Sequence, residues 1–434
     1  MNGFDLLTLG NAVVVVVALY QLRVCTLSLA GNNMLVSSAL ATIERYGPPA
    51  SQRLLPVYVF SEENLLTAFA IMAISLASLV GFTLISARRR IRIGPDAPAV
   101  PRPVLVAIAI YVVLASGSIS TIFTGAYSVG QEVRYDMSVG GGGQALVLSL
   151  AFYELTRRRL LSLITARKAF LLMFLIVALT GYLQGGTGPS TGYLLAGALM
   201  ILPHTGAEKR LRNTVRVAVA LLGIVAISFT VRAARDRMHE DAVGSLVAVV
   251  KNAAEQEAAR DQTAEGLESA ANSSQYAAHL LECITMYDAG FSRQWRSIYN
   301  VIEYTFKPSF LLKALGLKRS IEAAWELADH FVHGGGIFVL GEFYWNGGFI
   351  CVVVMTTVLS FFCFVVDKKC RASPFWLMML SQFAPSFLMG YGYGFAQVAR
   401  GAINGLLVAA VYKVLSSLAE RRQLFRVQEV GNGR

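Results

Sequence analysis

The fold class predicted by the sequence is an all-α bundle of ten or eleven membrane-spanning helices with one large helical loop on the outside. Three observations predict it. Of the 434 residues, 55% are hydrophobic and only 15% charged, and the mean hydropathy is +0.54. Apolar runs recur along the chain, many of them near the roughly 20 residues that a bilayer crossing needs. Basic residues collect in alternate loops between those runs, the pattern of the positive-inside bias.

Residues 4–22 form the first run. Residues 24–43 read either as an additional span or as an interfacial segment; as a span they put the N-terminus outside, and otherwise both termini are cytoplasmic. Further runs cover 64–86, 103–124, 137–156, 169–185, 190–204, 214–231, 347–366, 373–391 and 401–418. Basic loops follow alternate runs: Arg88–Arg90, Arg157–Arg159, Lys209 with Arg210, Lys368 with Lys369, and Arg421 with Arg422. Those loops are expected in the cytoplasm. Residues 1–231 then carry the first seven helices, 232–333 the large outside loop, and 334–434 the last three helices and a cytoplasmic tail.

The loop holds 11 Lys and Arg against 14 Asp and Glu, and positive-inside bias does not govern a loop that long. Its first part favours helix throughout. "IYNVIEYTFKPSFLLKALG" reads as a short amphipathic helix pair on the outer membrane surface. The net charge of +11 reports topology, since no basic patch with interleaved aromatics suggests nucleic acid. Five cysteines without CxxC or Cys/His spacing predict neither disulfides nor structural zinc, and the N-terminus lacks the basic region of a cleavable signal.

The chemistry-bearing stretch is "HGGGIFVLGEFYWNGGFI", residues 333–350. Glu342 and Asn346 are four apart and share a helix face. They read either as an interfacial helix start with Tyr344 and Trp345 in the aromatic belt, or as groups lining a cavity, since an acid at membrane depth faces water or a polar partner. Cations stand nearby on the outside: Arg134 beside Tyr135 and Asp136; Arg232, Arg235 and Arg237 before His239; Arg293 and Arg296 flanking Trp295; and Arg400 at the mouth of the last span. Each also has a plainer reading as an ion pair or headgroup anchor. His330 and His333 lie three apart and suit hydrogen bonding or base chemistry better than a metal, for which a third ligand is wanting. The glycines at 140–143 lack the Lys-Ser/Thr of a phosphate loop and read as a hinge or close packing. Gly401 and Gly405 form a G-x-x-x-G pair suited to close helix approach.

The E-x-Y-x-N-x-G motif of Glu342, Tyr344, Asn346 and Gly348, placed after a long outside loop and opening the next span, resembles the Wzy-type oligosaccharide repeat-unit polymerases. "EVRYDMSVGGGGQ" is similar to that family's arginine-then-glycine loop, and "QVARGAING" to its late arginine at a span entrance. Departures are the lack of an arginine in residues 184–192 and Gly347 where an aromatic is frequent.

The resemblance implies a glycosyltransferase of the bacterial inner membrane, working at the periplasmic face. Its substrate would be an undecaprenyl-pyrophosphate-linked oligosaccharide, built into O-antigen or exopolysaccharide, with membrane lipid and a chain-length regulator as further partners. No metal or other cofactor is implied, and no DxD-like motif lies in an outside loop. The leaving group is a lipid pyrophosphate, whose growing charge calls for arginine forks. The acceptor is a sugar hydroxyl that needs a base. Glu342, Arg134, Arg400 and His239 are therefore the catalytic candidates. Arg232, Arg235, Arg237, Arg293, Arg296, His330, His333, Tyr344 and Asn346 are the substrate-binding ones. An O-antigen ligase shares the layout, and a lipid-linked glycan flippase is the rival from another class; the scarcity of mid-span charge favours an enzyme.

Overall fold

Asn2 opens the chain with a capping box: its side chain accepts from the Asp5 N–H while the Asp5 carboxylate accepts from the Asn2 N–H. From it runs α1 (Gly3–Tyr20), with Phe4, Leu7, Asn11, Val14 and Ala18 buried along one stripe. Leu6, Leu9, Val13, Val16 and Tyr20 are exposed on the other face, as suits a helix with lipid on one side. The computed structural model describes residues 2–21, 23–47, 57–87, 262–306, 323–331 and 336–369, with individual positions in 215–223 and 376–417. Every regular element among them is helical.

After α1 come α2 (Val24–Tyr46), a 3₁₀ turn (Val57–Phe60), α3 (Glu62–Ala87), α4 (Gln262–Asp288), α5 (Arg296–Phe306), α6 (Ala323–Ala328) and α7 (Val339–Lys369). Among the described residues α1, α2, α3 and α7 are long and apolar enough to cross a membrane. Residues 24–43 thus lie in a helix long and apolar enough for a span. The α2 helix is the least apolar of the four because it packs on α1, α3 and α4. Its polar groups find partners there: Asn33 Nδ2 donates to Ser75 Oγ at 2.8 Å.

The chain divides into two compact units. The first comprises Met1–Arg90, Ala259–Lys368 and Ser386–Gly401, and the second the remainder. In the first unit, contacts fix two ends. At one end Arg45 pairs with Asp5 at 2.8 Å, Phe4 meets the Phe69 ring edge-on, and Asn64 Nδ2 donates to Thr285 Oγ1 at 2.9 Å. At the other, the Asp367 carboxylate accepts from the N–H groups of Cys25 and Thr26, each at 2.9 Å, and from the Thr26 hydroxyl at 2.7 Å. The last turns of α3 and α7 meet there through Phe82, Phe361 and Phe364. Successive helices α1, α2 and α3 therefore alternate in direction, and Asn2 lies at the end opposite Lys368. Asp367 caps α2 in place of a side chain from its own N-cap, Arg23, which makes no cap bond.

In the second unit, a Cβ at Gly405 would stand 2.8 Å from the Met379 carbonyl oxygen, so this member of the G-x-x-x-G pair is held to glycine by close packing. Lys369 lies over the Trp376 ring at 4.9 Å.

Candidate functional site

Where α4 crosses the start of α7, the backbones approach so closely that a Cβ on Gly341 would meet Leu280 Cα at 3.0 Å and Cys283 Cβ at 3.2 Å. Glycine at 341 permits that crossing, and Glu342 follows it in the first turn of α7. Its N–H donates to the Phe338 carbonyl at 3.0 Å, and its side chain is buried. The carboxylate reaches out of its own helix: Oε2 accepts from the Phe395 N–H at 2.6 Å. Phe395 opens a helical segment, so the carboxylate meets one of the backbone donors that a helix start leaves unpaired. The rings of Phe343 and Phe395, 5.3 Å apart and edge to face, fix the same junction.

Gly394 makes the approach possible. Its φ of +104° is glycine territory, and a Cβ there would stand 3.1 Å from Glu342 Oε2 and 3.0 Å from Ile337 Cγ2. Neither Gly394 nor Phe395 stood out in the sequence. The only local signal is the alternation of glycine and tyrosine in "GYGYG" at 390–394.

Asn346 lies one turn beyond Glu342 and ties two elements together. Its Nδ2 donates to the Glu342 carbonyl at 2.7 Å and to Ser297 Oγ at 2.9 Å, and its Oδ1 accepts from the Ser297 N–H at 3.3 Å. After it α7 breaks: Gly347 and Gly348 leave helical geometry, and Gly348 has φ of +62°. A Cβ at Gly348 would be 2.7 Å from the Tyr287 hydroxyl. The motif residues Glu342, Tyr344 and Asn346 therefore sit on a short helical piece, and the long apolar helix begins after the kink.

The connection from α4 to α5 is pinned onto this piece. The Arg293 N–H donates to the Trp345 carbonyl at 3.1 Å, and the Trp345 indole donates to the Phe291 carbonyl. The Ser292 hydroxyl lies 3.3 Å from the carbonyls of Trp345 and Asn346. The Arg293 guanidinium is 1% exposed; it pairs with Glu326 of α6 and lies 5.3 Å from the Trp345 ring centroid. Two cations flanking one tryptophan thus have opposite settings, for the side chain of Arg296 is 68% exposed and 3.7 Å from Glu326. Between them Gln294 and Trp295 have φ of 46° and 67°. A non-glycine residue in that region costs on the order of 1 kcal/mol, sustained here by the surrounding bonds.

Of the other sequence candidates, the Tyr344 hydroxyl donates to Asp288 Oδ1 at 3.2 Å. His330 is exposed beside Phe291, ring centroids 6.2 Å apart. Arg134, Arg232, Arg235, Arg237, His239, His333 and Arg400 lie outside the described residues. No group of three or more His, Cys, Asp or Glu side chains suits a metal among the described residues. No protein-family model matches the chain, and neither a curated protein nor a solved structure matches it.

One acid escaped the sequence reading. Glu282 of α4 is 0% exposed, and neither carboxyl oxygen has a hydrogen-bond partner among the described residues. Burial pushes its pKa up to about 8. It is one residue before Cys283, which packs on Gly341, and burial together with Glu282 and Glu342 pushes that thiol well above its ordinary value. Nothing in the sequence of α4 distinguished Glu282 from Glu265 and Glu268 earlier in the helix.

Proposed function

We propose that the chain is a membrane glycosyltransferase that polymerises undecaprenyl-pyrophosphate-linked oligosaccharide repeat units at the outer face of a bacterial inner membrane. The observation that carries this reading is the junction of Glu342 with Phe395. It joins the E-x-Y-x-N-x-G stretch to Phe395, which in the sequence stands five residues before Arg400, the second signal of the resemblance.

In this reading the acceptor hydroxyl attacks the anomeric carbon of the growing glycan, the bond to the lipid pyrophosphate breaks, and the hydroxyl proton passes to a base. Arg134 and Arg400 receive the pyrophosphate charge. Glu342 acts as a positioning residue, its charge holding the Arg400 segment, and His239 is the candidate base. Asn346 holds the α4–α5 connection over the same corner. Incubating the purified protein in proteoliposomes with one lipid-linked repeat unit tests the reading: it calls for a ladder of polymer with release of undecaprenyl pyrophosphate. Transfer only to lipid A core would make it a ligase, and translocation without bond formation a flippase.

Arginine's planar fork grips two phosphate oxygens, whereas an ammonium is a point charge. Arg134→Lys and Arg400→Lys are therefore each expected to lose polymer at normal protein level, read from the ladder. Full polymer from both variants would return these residues to surface anchoring.

Sidedness follows from charge. Lys368 and Lys369 end α7, and in the sequence Arg88–Arg90 come directly after Ala87, which ends α3 at that same end, so positive-inside bias makes it cytoplasmic. Glu342 and Asn2 then lie outside. A cysteine at Asn2 is expected to react with a membrane-impermeant maleimide in spheroplasts, and labelling only after permeabilisation would reverse the assignment.

A further inference from the structure

We propose that residues 291–299 dock in the headgroup layer of the bilayer leaflet at the Glu342 end of the molecule, as a fixed aromatic foot beside the candidate site. Three polar groups of this stretch turn inward, Ser292, Arg293 and Ser297, all committed to α7 or α6, while Gln294 is exposed at the turn. The apolar ones turn outward. Phe291 is 61% exposed, Trp295 44%, and Ile298 and Tyr299 are exposed beside them, with Arg296 at the rim. The left-handed backbone at Gln294 and Trp295 is what aims the indole outward, and the bonds to Trp345 and Asn346 hold that strained corner in place.

What covers this surface follows from its continuity with α7. The Trp295 ring lies against the kink, where a Cβ on Gly347 would be 3.5 Å from Trp295 Cζ2. Directly after the kink Phe349, Ile350, Val353 and Val354 are exposed on a helix apolar enough to cross a membrane. The indole therefore caps an apolar stripe whose solvent is lipid. An aromatic ring with a polar edge, flanked by an arginine and set at the top of such a stripe, matches the membrane–water interface. A sugar-stacking platform would ring its aromatics with hydrogen-bonding side chains; here Gln294 and Arg296 are the exposed polar ones, and Ile298 and the apolar start of the α7 stripe are exposed with them. The inference requires only that α7 crosses a bilayer and is independent of the glycosyltransferase reading.

The test uses the full-length protein with Trp295→Cys, and separately Ile298→Cys, labelled with the environment-sensitive dye NBD and reconstituted in vesicles of phosphatidylcholine and phosphatidylglycerol. Cys25, Cys283, Cys351 and Cys363 are buried, Cys370 lies outside the described residues, and the unsubstituted protein taken through the same labelling sets the background. Both labels are expected to emit at shorter wavelength than the free dye, to be quenched by lipids brominated high on the acyl chain, and to be shielded from aqueous iodide. Iodide quenching equal to that of the free dye, with no effect of brominated lipid, overturns the proposal. So does an emission change on adding oligosaccharide where brominated lipid has none, which would assign the surface to glycan. Ile298→Cys alters an exposed side chain and keeps the test decisive if Trp295→Cys does not fold.

Discussion

Glu342→Gln is expected to abolish polymer or reduce it on the order of a hundredfold while the protein still folds and inserts at its normal level. The amide has the shape of the carboxylate and can still accept from the Phe395 N–H, so the junction survives with a neutral bond of roughly half the strength. What is lost is the charge. Gly394→Ala approaches the same junction from the other side. A Cβ in that backbone conformation is strained and would crowd both Glu342 Oε2 and Ile337 Cγ2, at a cost of about 1–3 kcal/mol. It is expected to match Glu342→Gln in the polymer ladder and to lower thermal stability in detergent as well. A normal ladder from Glu342→Gln, or its failure to accumulate, would reduce the junction to packing. The exposed Glu62 at the start of α3 serves as control and should be silent when changed to Gln.

Glu282→Gln is expected to stabilise the protein, and more so as pH rises. The carboxyl is pushed from an ordinary 4.5 to about 8 in the folded chain, so between those values the folded state holds a proton that the unfolded state has released. Native stability therefore falls as pH rises from about 4.5 to about 8 and is level beyond. At pH 7 the cost is on the order of 3 kcal/mol, which a neutral amide does not incur through ionisation. Thermal unfolding of both proteins at pH 5 and pH 8 measures it. The gap between variant and parent should open at the higher pH, and a gap that closes with rising pH would show that Glu282 is ionised in the fold.

How much of this was written in the sequence depends on the range of the interaction. The apolar runs located α1, α3 and the long part of α7, since a spanning helix is specified by its own composition. The i, i+4 spacing of Glu342 and Asn346 also held, with the Asn346 amide on the Glu342 carbonyl. The apolar run that begins near 347 marks only the part of α7 after the kink; the piece ahead of it, from Val339, carries Glu342 and Asn346 and was legible as a helix start and not as part of the span. Arg293 and Arg296 look alike in sequence. Only the placement of Trp345 and Glu326, 52 and 33 residues after Arg293, buries the one and leaves the other exposed. Phe395 as the partner of Glu342 lies 53 residues away, and no local pattern encodes it.

The clasp of Asp367 on the start of α2 has a consequence for biosynthesis. Its two backbone bonds join residues 342 and 341 positions apart. At about 5–20 residues per second, the ribosome needs roughly 20 to 70 seconds after making Cys25 to deliver the carboxylate. For that interval the first turn of α2 exists without its cap, and a nascent chain arrested before Asp367 is a chain whose earliest helices have not yet been closed by α7.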